Sequence, residues 1–137
     1  MSSPLMEPVS EVHSFLAFDF GTSRVGVASG NTVTQAARPL RTIASSGAAR
    51  FDAIGQLIAE WQPDALVVGV PFHPDGAAHE NTDRAKRFAR QLRGRFRLPV
   101  HEVDERYTTT EAQAQGATDL DAASATIILE QYMREHE

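Results

Sequence analysis

Phe15-Leu-Ala-Phe-Asp-Phe20 is an almost unbroken apolar run, and Val25-Gly-Val-Ala28 follows it after Gly21-Thr-Ser-Arg24. Two buried strands joined by a turn are written this way. A further turn at Gly30-Asn31 leads to a partly alternating strand around Pro39 to Ile43, so the first third of the chain predicts an antiparallel meander. From Ala48 to Trp61 the apolar positions Phe51, Ile54, Leu57, Ile58 and Trp61 recur at helical spacing until Pro63 ends the pattern. Ala65-Leu-Val-Val-Gly-Val70 is short, continuous and apolar, as a buried parallel strand is, and Pro71 with Asp75-Gly76 marks the loop beyond it.

The period changes again at Thr82 to Phe96, where Ala85, Phe88, Ala89 and Leu92 share one side of a helix and arginines the other. Val100-His-Glu-Val103 reads as a fifth strand. A short helical piece follows Tyr107-Thr-Thr-Thr110, and a last helix begins at about Asp121 with Ala122, Ala125, Ile128, Leu129 and Tyr132 as its apolar side. Three strands, helix, strand, helix, strand, helix is an α/β order that needs helices packed on a mixed sheet of five strands. Right-handed crossovers set the fourth and fifth strands parallel to the first. A ribonuclease H-like sheet has this arrangement, as do other α/β folds.

At 137 residues the chain fits one domain, expected over 14–137 behind a flexible tail at 1–13. A composition of 42% hydrophobic and 23% charged residues, with no apolar run near the roughly 20 residues that span a bilayer, predicts a globular protein without a membrane partner. Met1 to Ser14 lacks a basic segment followed by an apolar one, so a cytoplasmic location is expected. The absence of cysteine excludes disulfides, thiolate nucleophiles and Cys-ligated metal, and leaves oxygen or histidine to hold any ion. None of the five histidines has a metal-site spacing, and Ser23 and Ser124 lack a His–Asp arrangement nearby.

A net charge of −5 counts against a nucleic-acid partner only on average. Seven of the 13 basic residues, Arg84, Lys86, Arg87, Arg90, Arg93, Arg95 and Arg97, fall in one segment that has no acid after Asp83. Such a helix is either a solvated face or a surface for phosphates.

Asp19 interrupts the apolar first strand, where a charge is costly unless paired or bound to a cation. Asp104-Glu105 follows the fifth strand and Asp121 opens the last helix, and strand ends of open parallel sheets line ligand crevices. Acids converging there suit Mg²⁺, which prefers oxygen donors and is completed by substrate phosphate. The plainer alternatives are a helix cap for Asp121 and a surface ion-pair cluster for Asp104, Glu105 and Arg106.

These residues resemble the YqgF (RuvX-like) family, to which both resolution of Holliday junctions and maturation of the 5′ end of pre-16S rRNA are ascribed. The matching pieces are Phe18-Asp19-Phe-Gly21-Thr-Ser-Arg24-Val-Gly26-Val-Ala28, Gly69-Val-Pro71 with Asp75-Gly76, Asp104-Glu105-Arg106-Tyr-Thr-Thr109, and Asp121-Ala-Ala-Ser-Ala125 leading into Ile127-Ile-Leu129. The resemblance implies a ribonuclease H-like fold, dependence on Mg²⁺ or Mn²⁺, and Asp19, Glu105 and Asp121 as catalytic, metal-binding acids, with Asp104 as an alternative ligand. Gly21 and Gly26 then fit a tight connection that lets phosphate approach the backbone.

Arg24 and Arg106, nearest the acids in sequence, are expected to grip substrate phosphate, and Arg87 and Arg90 to add contacts from the basic helix. The expected partners are pre-rRNA, ribosomal precursor particles or branched DNA. A non-catalytic ribosome-assembly module is the rival reading. Two departures bear on substrate grip: the segment from Glu111 to Asp121 is short for the family, and Asp119 stands where a Lys is common.

Overall fold

The computed structural model describes residues 13–72, 77, 81–104 and 120–135. The short helical piece expected after Thr110, with Glu105, Arg106 and Asp119, lies outside them. Five strands form one sheet in the order β3-β2-β1-β4-β5: β1 (Ser14–Phe20), β2 (Val25–Asn31), β3 (Ala36–Ile43), β4 (Ala65–Val70) and β5 (Val100–Asp104). β1 pairs antiparallel with β2 and β2 with β3, while β1 and β4, and β4 and β5, run parallel. The mixed sheet is the one the element order requires.

Alternation along the strands sorts the core into two layers. Leu16, Phe18, Val25, Val27, Leu66, Val68 and Val100 point to one face, where they meet Phe51, Ile54 and Leu57 of α1 (Gly47–Trp61) and Phe88, Ala89 and Leu92 of α2 (Thr82–Phe96). Phe15, Ala17, Ala65, Val67 and Val103 point to the other, covered by Ile128, Leu129, Tyr132 and Met133 of α3 (Leu120–Glu135). The central strands are apolar throughout because both faces are covered.

β3 begins three residues before the alternation suggests. Asn31 accepts hydrogen bonds on Oδ1 from the backbone N–H groups of Val33 and Thr34, both at 3.0 Å, and this closes the turn that starts the strand at Ala36. The pairing skips a residue between Val27 and Ala28, which face Arg41 and Pro39. Pro39 is tolerated because β3 is an edge strand. Helix α1 ends at Gln62, whose left-handed conformation (φ 47°) directs its N–H to the Ile58 carbonyl just before Pro63.

Candidate functional site

Asp19 belongs to the α3 side of the sheet. It alternates with Phe20 and Phe18 and keeps the parity of Phe15 and Ala17, and its register partners are Gly26 on β2 and Gly69 on β4. Directly opposed residues in an antiparallel pair share a face, so the missing side chain of Gly26 lies beside the Asp19 carboxylate. That space is taken by the start of α3. A Cβ on Gly26 would sit 1.9 Å from the Asp121 carbonyl oxygen and 2.7 Å from the Ala122 nitrogen. Glycine here admits the helix backbone to the sheet, and the contact sets Asp121 over the strand pair that carries Asp19.

Gly26 thus makes room for protein backbone, not for phosphate as the family resemblance implied. Gly21 does serve a tight connection, because a Cβ there would meet the Arg24 carbonyl oxygen at 2.6 Å.

Arg24 leaves that connection and reaches Asp121, with Nε 3.1 Å from Oδ2; its side chain is 63% exposed and that of Asp121 29%. The same connection is held from below by a residue the sequence reading passed over. Arg50, 5% exposed, donates through Nε to the Ser45 carbonyl at 2.8 Å and through its terminal nitrogen to the Thr22 carbonyl at 3.1 Å. Its guanidinium also lies 5.6 Å from the centroid of the Phe20 ring. Burial lowers its pKa from the ordinary value. Its place was signalled in the sequence: Arg50 stands four positions before Ile54 and seven before Leu57, on the apolar stripe of α1.

Asp104 ends β5 with the parity of Val100 and Glu102. Glu102 meets Lys86 of α2 at 3.3 Å, whereas His101 and Val103 face α3, His101 with its ring 5.1 Å from that of Tyr132. Alternation therefore sets Asp104 on the face away from Asp19. Glu105 lies outside the described residues.

The basic helix is divided in its uses. Lys86 is paired with Glu102, Arg93 donates to the Val100 carbonyl at 2.8 Å, and Arg95 lies 4.2 Å above the Phe51 ring. Arg84 bonds Asn81 within its own first turn. Arg87 and Arg90 are exposed and enter no ion pair among the described residues. Because α2 packs on the face opposite α3, they are not brought to Asp19 and Asp121.

Among the described residues no group of three His, Asp or Glu side chains is arranged to hold a metal ion. Asp19 and Asp121 are two acids at one strand end. Carboxylate oxygens without sulfur or imidazole make a donor set that suits a hard divalent cation.

A family model described as "RuvX: Holliday junction resolvase" matches residues 13–135. A protein of Polaromonas sp. (strain JS666 / ATCC BAA-500) is 67% identical over 123 residues, which cover 90% of this chain and 89% of that one. One of Albidiferax ferrireducens is 59% identical over 147 residues, covering 98% and 94%. Both bear the name "Putative pre-16S rRNA nuclease". Among solved structures, Thermus thermophilus RuvC in complex with a Holliday junction substrate aligns with a TM-score of 0.57 at 14% identity, covering 90% of this chain and 95% of that one. Another Thermus thermophilus RuvC structure gives 0.51 at 13%, with the same coverage. Similarity at that level of identity is similarity of fold, and the fold is ribonuclease H-like.

Proposed function

The chain belongs to the RuvX family, and from that premise we propose that it hydrolyses phosphodiester bonds of nucleic acid, with the 5′ end of pre-16S rRNA as its substrate. The observation that carries this reading is the seating of the first turn of α3 on Gly26, beside Asp19. A strand acid and a helix-start acid, distant in sequence, share one strand end on the same side of the sheet.

In this reading Asp19, Asp121 and Glu105 hold Mg²⁺ or Mn²⁺, while Asp104 is set by the alternation of β5 on the other face of the sheet. A divalent cation held by these acids would supply activation of a water for attack and stabilisation of the charge on the leaving oxygen. The remaining work falls to the chain's own residues. Gly21 and Arg50 hold the turn after β1, and Arg24, presented by that turn, stands next to the acids to take a phosphate oxygen. Arg106 is a further phosphate contact by its place beside Glu105. Arg87 and Arg90 extend the grip along the nucleic acid beyond the site, and ribosomal precursor particles are where such a substrate is met.

A second substrate has its own support. The family description names a junction resolvase, and the RuvC structure was solved with a Holliday junction. Phosphate-directed contacts carry little base information, so RNA and branched DNA are separated by measurement. Purified protein with Mg²⁺ or Mn²⁺ is offered pre-16S rRNA, unrelated single-stranded RNA and four-way DNA junctions. Trimming of the rRNA 5′ end alone is the expected result. Preferential junction cleavage moves the function to recombination, and stable binding of precursor particles without cleavage makes the protein an assembly module.

A further inference from the structure

Arg24 is already occupied by a carboxylate that the proposed reaction assigns to a metal ion. Its Nε lies 3.1 Å from Asp121 Oδ2. Three features deliver it there. Gly21 packs tightly against the Arg24 carbonyl, Arg50 anchors the Thr22 carbonyl, and Gly26, two residues beyond Arg24, has the Asp121 backbone pressed against it. Both members of the pair are thereby presented by fixed backbone, the guanidinium from the turn and the carboxylate from the start of α3.

We propose that Arg24 is a counter-cation built into the site, neutralising Asp121 while no divalent ion is bound and yielding to the ion when it arrives. The inference rests on the reading of Asp121 as a metal ligand. Two cations on one carboxylate repel each other, so the ion weakens the pair and the pair weakens the ion's affinity by the same factor. A displaced guanidinium keeps donors that match phosphate oxygens. Metal loading then makes Arg24 available to nucleic acid, and substrate binds the loaded site more tightly partly for this reason. The pair is partly exposed, and exposed pairs set the scale at about two- to fivefold in affinity.

Mn²⁺ is titrated calorimetrically into the full-length protein without nucleic acid, comparing the parent with Arg24→Gln, Arg24→Lys and Asp121→Asn. Arg24→Gln is expected to bind Mn²⁺ about two- to fivefold more tightly and Arg24→Lys, which retains the charge, close to the parent. Asp121→Asn is expected to lose most of the affinity. Anisotropy of a labelled single-stranded RNA, in chelator and in Ca²⁺, which takes the same oxygen donors, should show a smaller metal-induced gain for Arg24→Gln than for the parent.

Unchanged Mn²⁺ affinity in Arg24→Gln, alongside a loss in Asp121→Asn, overturns the counter-cation and leaves the metal site standing. An equal gain in RNA affinity for parent and Arg24→Gln overturns the release of Arg24 to substrate. Parental Mn²⁺ affinity in Asp121→Asn removes the metal-ligand reading itself, and the proposal with it.

Discussion

Single residues decide whether the acids meet. Gly26 is the clearest case: its spacing from Asp19 is plain in the sequence, but its purpose depends on a helix that arrives about 95 residues later. Gly26→Ala must push the start of α3 away, so we expect a loss of about 1–3 kcal/mol on denaturant unfolding together with loss of cleavage. An alanine variant with parental stability and activity would show that α3 is not seated on this glycine. Arg50 was missed because arginine is read as a surface residue even when it falls on an apolar stripe, and its burial is explained by the carbonyls of Thr22 and Ser45 and the Phe20 ring. Arg50→Met removes the donors while keeping the stem. Leaving two carbonyls short of their partner should cost about 1–3 kcal/mol and lower metal affinity through the loosened turn; unchanged denaturation and Mn²⁺ titration curves would mark the side chain as packing only.

At the level of elements, the strands and helices were legible because nearly every one has an unambiguous period. β1 and β4 are apolar runs, α2 is amphipathic, and their order fixes a mixed sheet. Less legible were the beginning of β3, which depends on the Asn31 turn, and the division of labour within α2, which depends on what lies beneath it. Seven basic residues suggested one phosphate-binding face, yet Lys86, Arg93 and Arg95 are engaged by Glu102, Val100 and Phe51. The salt dependence of nucleic-acid binding should follow the structural division. Replacing Arg87 and Arg90 together by Ala should lower the slope of log affinity against log salt by roughly 1.4 to 1.8, since each phosphate contact is worth about 0.7 of a unit on a single strand and about 0.9 on a duplex. An unchanged slope would make that face of α2 a solvated surface.

The whole molecule carries a net charge of −5, and no helix among its described residues is long and apolar enough to cross a membrane. An acidic protein that handles nucleic acid must confine its attraction to particular regions, which the proposed reading assigns to the strand end with Arg24 and the outer side of α2, on opposite faces of one sheet. That the two regions lie on opposite faces is not visible in the sequence, because it depends on which face each helix covers. The acids Asp19 and Asp121 were legible as types and positions; their shared side of the sheet was not, until the register of β1 with β2 and the seat of α3 supplied it. The central claim is that this strand end is a metal-dependent hydrolytic site, and the measurement that bears on it most directly is cleavage of pre-16S rRNA in Mg²⁺ or Mn²⁺ by the parent and by Asp19→Asn, each checked for its melting temperature. The account predicts trimming by the parent, none above background by Asp19→Asn, and a folded variant that melts close to the parent in chelator, because Asn keeps the shape of Asp and Arg24 already offsets the charge of Asp121. Cleavage at the parental rate by a folded Asp19→Asn protein would contradict it.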